Sequence, residues 1–241
     1  MTWALRIFFS ALLLLDCGAA NVPASTVRGS VELIASQHPM VRRHKDYSGI
    51  VVWLEPVNGR PRPAPRTRPA EMIQKDKTFK PHVLAIPVGS SVSFPNLDPI
   101  FHNAFSNFNG QIFDVGLYKP GGSRTVVFAR SGIARVFCNI HPQMSAVIVV
   151  LDTPYYAVSN KAGVFQIDGV PPGEYEFHVF HERSAPEALD ALTRKITVEM
   201  AALELPPLSI SESGYIQAPH KNKFGAEYPP ENQLAYPGAR K

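Results

Sequence analysis

Apolar and polar residues alternate along most of this chain in short runs of period two, the spacing of strands with one face buried. Thr26–Leu33 sets Val27, Val31 and Leu33 on one face, and Gly49–Glu55 follows as a second strand, apolar from Ile50 to Leu54. Strand-type runs resume after Phe79 with His82–Val88, Ser91–Phe94, Arg124–Ala129, Ala134–Cys138 and the wholly apolar Ala146–Leu151. A third block, Tyr155–Ser159, Val164–Ile167, Glu174–Phe180 and Arg194–Val198, is punctuated by the turns Asn160-Lys-Ala-Gly163 and Val170-Pro-Pro-Gly173. Helical period is confined to residues 185–192, enough for a turn or two. The alternation therefore predicts an all-β fold.

Between the strands lie segments of another character. Residues 1–20 carry Arg6, an apolar run Ile7–Leu15 and the small residues Gly18-Ala19-Ala20, the order of a secretory signal. That run is too short to stay in a bilayer as a spanning helix, so the mature chain is expected to lack a transmembrane helix. Export, to a periplasm for instance, is the expected destination. Lipidation at Cys17 is the less favoured reading, because Asp16 occupies a place where lipoprotein signals carry a small residue. Residues 59–69 are a basic Pro-rich connector that can neither pair nor pack. Residues 106–123 form a long loop of the kind that is functional or packed on its domain. The tail 211–241 lacks apolar period and is expected to be extended or disordered, with Tyr215, Phe224, Tyr228 and Tyr236 available to strap it down.

Composition narrows the classes. The 241 residues are 45% hydrophobic and 18% charged, enough apolar content for a large core or two small ones. The net charge of +4 survives removal of Arg6 and Asp16. It suits an acidic protein partner and falls short of a nucleic-acid footprint. Of two cysteines, signal cleavage removes Cys17 and leaves Cys138 alone, a bare thiol that an oxidising compartment tolerates best when it is occupied.

Cys138 opens the most informative stretch, Cys138-x2-His141-x2-Met144, and His102-Asn103 lies 36 residues upstream of it. One thiolate, two imidazoles and a weak thioether are the ligand set of a blue-copper electron-transfer site. Structural zinc favours several Cys or His and no thioether, and covalent haem needs a Cys-x-x-Cys-His run that does not occur. No nucleophile elbow, phosphate-cradling glycine run or convincing carboxylate pair points to catalysis. His82, His178 and His181 are weighed as extra ligands and read better as strand-surface histidines; His38 and His44 sit in a polar loop.

His102-Asn103, Cys138-x2-His141-x2-Met144 and the strand Ala146-Val-Ile-Val-Val resemble the small cupredoxins of the amicyanin, pseudoazurin and plastocyanin group. The resemblance implies a cupredoxin Greek-key β-sandwich over residues 70–151 holding one type 1 copper ion. His102, Cys138 and His141 would be its ligands and Met144 its axial ligand. It also implies that Asn103 ties the two ligand segments together, that Pro142 stiffens the loop, and that His141, Phe137 and Ile140 form the patch where electrons leave. The run Ala157-Val-Ser-Asn-Lys-Ala-Gly-Val-Phe-Gln-Ile-Asp-Gly-Val-Pro-Pro-Gly-Glu-Tyr resembles a carboxypeptidase regulatory-like (transthyretin-like) β-sandwich, whose opening strands match Val27–Leu33 and Val51–Leu54. Residues 25–58 and 152–210 are accordingly expected to form one discontinuous second sandwich interrupted by the first, a simple tandem being the alternative. The expected function is single-electron transfer between redox proteins, a dehydrogenase or a cytochrome, by a carrier and not a catalyst. Copper delivery and a structural surface role on a cupredoxin scaffold are the competing readings.

Overall fold

The computed structural model describes residues 24–57, 67–107, 111–215 and 220–229. The expected signal, Cys17, most of the basic connector and Tyr236 lie outside them. The fold is all-β, as the alternation predicts. Its elements begin with β1 (Ser25–Ile34), α1 (Pro39–His44) and β2 (Val51–Pro56). A middle series follows: β3 (Ala70–Glu71), β4 (Ile73–Lys75), β5 (Thr78–Lys80), β6 (Val83–Pro87), β7 (Ser91–Ser93), β8 (Phe105–Ser106), β9 (Phe113–Asp114), β10 (Thr125–Val127), β11 (Gly132–Phe137) and β12 (Ser145–Leu151). The last series is β13 (Tyr156–Val158), β14 (Val164–Val170), β15 (Gly173–Phe180), α2 (Pro186–Asp190), β16 (Arg194–Val198), β17 (Leu203–Glu204) and β18 (Leu208–Ser211).

Strand pairing does not follow chain order. β1 pairs with β14, β17 and β18, while β2 lies between β13 and β15, with β16 beyond. The inward positions of these two sheets close one core: Val27, Val31 and Leu33 of β1, Val52 and Leu54 of β2, Phe165 and Ile167 of β14, and Tyr175, Phe177 and Val179 of β15. The middle series makes a separate set, β6-β12-β11-β8-β9 facing β10-β7-β3 around Phe94, Phe128, Val136 and Ile148. Each such fully buried side chain contributes on the order of 2 kcal/mol.

β12 explains how the two sets join. Ala146, Ile148 and Val150 face the second core, whereas Val147, Val149 and Leu151 meet Val51 of β2 and Ala85 of β6 in a third apolar cluster. A strand buried on both faces has no polar side to show, hence its unbroken apolar run. Gly163 marks the turn after β13: its φ is +78°, and a Cβ there would sit 2.0 Å from the Val31 carbonyl oxygen, so only glycine fits.

The structure adds elements that periodicity did not predict. The polar loop holding His38 and His44 contains the short helix α1, opened by Pro39 and anchored by the single buried residue Val41. Past Val198, β17 and β18 continue the sheet by parallel pairing with β1. The 106–123 loop is partly paired, β9 lying antiparallel to β8. Among the described residues, no helix is long and apolar enough to cross a membrane.

Candidate metal centre

Antiparallel register brings the site together. Phe105 of β8 is paired with Phe137 at the end of β11. Carried outward, the same register sets residue 103 opposite 139, and there the Asn139 N–H donates to Asn103 Oδ1 at 3.2 Å. The Asn103 amide also donates to Asp114 Oδ1 at 2.7 Å and to the Gly116 carbonyl at 3.0 Å, tying the 113–116 loop to the same point. His102 is held by a two-way backbone bridge to Tyr118. On the other side, Phe137 and Ser145 close the β11–β12 hairpin. Its loop folds inward, the Cys138 amide donating to the Met144 carbonyl at 3.2 Å and the Met144 amide to the His141 carbonyl at 3.1 Å.

The three side chains converge. His102 Nδ1 lies 3.1 Å from His141 Nδ1, Cys138 Sγ is 3.5 Å from His141 Nδ1, and it is 3.9 Å from His102 Nδ1. Such separations suit atoms each about 2.0–2.3 Å from one common centre, the bond lengths of metal–imidazole and metal–thiolate. Among the described residues, no other three His, Cys, Asp or Glu side chains gather in this way. Met144 is fully buried in the same cluster as Cys138, while Pro142 is exposed at the crown of the loop.

An aspartate that sequence reasoning passed over orients the first histidine. Asp98 Oδ2 lies 2.8 Å from His102 Nε2, and the carboxylate is itself fixed by the amides of Asp76 at 2.7 Å and Lys77 at 2.9 Å. With Nε2–H donated to Asp98, Nδ1 of His102 is left as a lone pair aimed at Sγ and at His141, the carboxylate–histidine arrangement that supports metal ligands. The only signal available was an acid four residues before the histidine, in Pro95-Asn-Leu-Asp98.

Electrostatics prepare the donors unequally. Burial pushes His141 down to about 4, with the adjacent His102 adding to the effect. Burial also lowers His102, outweighing the upward pull of Asp98. Both imidazoles are therefore neutral at neutral pH and able to donate a lone pair. Burial raises the Cys138 thiol against the N–H groups of Ile140, Asn103 and His141, which favour thiolate. A metal arriving here must displace that proton.

Other expected positions fall elsewhere. His141 is 1% exposed, so the exit patch expected at His141, Phe137 and Ile140 is closed at its centre. The 138–144 loop folds inward, and the tail residue His220 stacks on Phe137 with ring centroids 4.1 Å apart. Tyr228, among the aromatics expected to strap the tail down, does so, and the surface it meets is the ligand loop. Residues 220–229 run beside the ligand loop, where the Lys223 amide donates to Asn139 Oδ1 at 2.9 Å and the Tyr228 hydroxyl to the Cys138 carbonyl at 2.7 Å. His82 bridges the Ser145 carbonyl and Glu182. His178 stacks on Trp53, and His181 pairs with Glu212.

No protein-family model matches the chain, and no curated protein matches it. Among solved structures it is similar to a purple cupredoxin from Nitrosopumilus maritimus, 25% identical, with 34% of this chain and 99% of that one covered and a TM-score of 0.32. It is similar also to a copper-containing nitrite reductase from Thermus scotoductus, 28% identical over 40% of this chain and 25% of that one, with a TM-score of 0.34. A third is a reduced amicyanin variant, 20% identical over 34% of this chain and 81% of that one, with a TM-score of 0.32.

Proposed function

We propose that this protein is an exported type 1 copper protein that passes single electrons between redox partners. The convergence of His102 Nδ1, His141 Nδ1 and Cys138 Sγ carries the reading. Two neutral imidazoles and a soft sulfur in a closed pocket suit copper better than the hard cations, which prefer oxygen. Met144, joined by one backbone hydrogen bond to Cys138 and one to His141, would offer its thioether as a weak fourth ligand that tunes the potential. When bound, the ion supplies a reversible Cu(I)/Cu(II) couple, and the chain supplies constraint. Asp98 holds His102, Asn103 holds the two ligand segments in register, and Pro142 stiffens the loop. A frame fixed before the ion arrives changes little on electron exchange. We assign residues 70–151 to a cupredoxin domain inserted into a transthyretin-like sandwich of residues 25–58 and 152–210.

Copper delivery is the rival role. Donors buried this deeply favour retention over hand-over, and a carrier is preferred to a catalyst on the same ground, a substrate having to reach the ion. Export fits a lone thiol kept from oxidation by a metal. The deciding experiment is an optical and redox titration of the copper-loaded protein. An intense visible charge-transfer band that bleaches and returns over repeated one-electron cycles supports the proposal. A colourless protein that holds only Cu(I) refutes it in favour of delivery.

A further inference from the structure

We propose that Tyr228 and His220 form an electron port that leaves the metal centre through the carbonyl of Cys138. The inference rests on the electron-transfer reading above and goes beyond it by naming the route. His141 and His102 are 1% and 0% exposed, so neither imidazole offers an edge to a partner. The carbonyl of Cys138, covalently joined to the sulfur, accepts the Tyr228 hydroxyl at 2.7 Å across 90 residues of sequence. That distance is the usual one for a well-formed O–H···O bond.

From Tyr228 the contacts continue. Its hydroxyl oxygen lies 3.2 Å from His220 Nδ1, which is also 3.2 Å from the Lys221 carbonyl. Both neighbours call for a donor at Nδ1, since the tyrosine proton is already given to Cys138. The chain Nδ1–H to Oη–H to O=C is thus consistent in direction at every link. A parallel contact reaches the same place, because the His220 ring stacks on Phe137, the residue covalently bonded to Cys138, at 4.1 Å and 24° between planes. Lys223 keeps the segment seated independently of Tyr228, through Asn139 and a 2.6 Å ion pair with Asp114. His220 is half-buried, and Lys221 beside it is exposed.

Electron tunnelling decays far less along covalent bonds and short hydrogen bonds than across gaps, so this chain is a better conductor than the protein around the buried imidazoles. In the transfer, Cu(I) gives one electron to a one-electron acceptor at the His220 surface. Copper becomes Cu(II), the acceptor is reduced by one, and no bond is made or broken.

The test uses copper-loaded full-length protein with a ruthenium polypyridyl photo-oxidant on Lys221→Cys, made with Cys17→Ser. Flash-generated Ru(III) draws an electron from Cu(I), and Tyr228→Phe should slow that step several-fold, His220→Ala with Tyr228→Phe more so, while the visible band is unchanged. The same label at Met200→Cys, on an exposed residue of the other sheet pair, should show no dependence on Tyr228. Metal-free Tyr228→Phe protein should be cut by trypsin at Lys223 as slowly as the parent. An unchanged rate at position 221 would overturn the port. Equal slowing at both labels would overturn it in favour of an altered copper site, and faster cutting at Lys223 in favour of a mere fastener. Absence of a visible band on loading would instead refute the electron-carrier reading beneath it, before any flash is fired.

Discussion

Two groups of histidines are built into this molecule, and they differ in what meets their nitrogens. At the seam between the two sheet pairs, His82 Nε2 lies 2.7 Å from Glu182 and His181 Nε2 lies 2.7 Å from Glu212, with Arg183 contacting both carboxylates at 3.2 and 3.0 Å. Ser36 donates to Glu212 as well. Opposite charges compensate one another there, and the group fastens Ser36, His82, residues 181–183 and Glu212 together. In the other group, His102 Nδ1, His141 Nδ1 and Cys138 Sγ face one another with no carboxylate or cation among them. The outward nitrogen of His102 meets an acid, Asp98. Histidines that each face a carboxylate make a fastener, whereas lone pairs that converge on a shared point make a ligand set.

The largest effect separating the two groups belongs to Cys138→Ser. It should abolish the visible charge-transfer band of the copper-loaded protein, because hydroxyl oxygen cannot replace the thiolate, while leaving the metal-free fold intact. A variant that keeps the band would dismiss Cys138 as a ligand. Next comes Glu212→Ala, which takes the acceptor from buried His181 and from Ser36 and leaves Arg183 with Glu182 alone. Removing one partner of such a buried pair costs about 3 kcal/mol, read as a fall in the denaturation midpoint of metal-free protein. The copper spectrum should not move. If Glu212→Ala altered the spectrum, the two groups would not be independent and the comparison would fail.

The same contrast shows what the sequence made legible. Cys138, His141 and Met144 share one hairpin loop, so their spacing alone was informative. His102 was legible through the likeness of its His-Asn pair to the small cupredoxins, and the register at Phe105 and Phe137 sets that pair beside the ligand loop. Strands with one buried face were read from their alternation, and β12 from its apolar run. What stayed hidden depends on contacts distant in sequence. β8 and β9 are two residues each, too short for any period. α1 buries only Val41, so it has no apolar stripe. β17 and β18 exist because β1 offers them an edge. Tyr228 reaches Cys138 across 90 residues, so its aromatic character suggested a strap but not the surface it would meet. Asp98 was hidden for a different reason: an acid near a histidine is common, and only geometry gives it a role.

Asp98 sharpens the comparison, since through it the converging group borrows the fastener's chemistry. Asp98→Asn removes the charge behind His102 and leaves the Asp76 and Lys77 amides with a poorer acceptor. Loss of such an outer partner should weaken copper binding by about 10- to 100-fold. Competition with a chromophoric chelator measures it, and unchanged affinity would show that His102 is oriented by its Tyr118 bridge alone.

Acid should take the two groups apart in separate windows, the smallest effect and the finest test. Burial lowers His141 from 6.5 to about 4. Between those values the unfolded chain binds a proton that the folded chain refuses, so stability of the metal-free protein falls as pH drops from 6.5 toward 4. Glu212 is pushed upward by burial, but its hydrogen bonds from His181, Ser36 and Arg183 prevail and bring it from 4.5 down to about 2. Its contribution is complete above 4.5 and is lost as pH falls through about 2. No single group can bend the curve by more than about 1.4 kcal/mol per pH unit. Denaturant midpoints taken at half-unit steps from pH 7 to 2 should therefore show two descents. His141→Phe should make the upper one shallower, His102 supplying the rest, and Glu212→Gln should do the same to the lower. Copper loading should deepen only the upper descent, because a bound ion raises stability above it and is expelled as the imidazoles protonate. A single descent insensitive to His141 would mean that its ring is hydrated in solution and not held against His102.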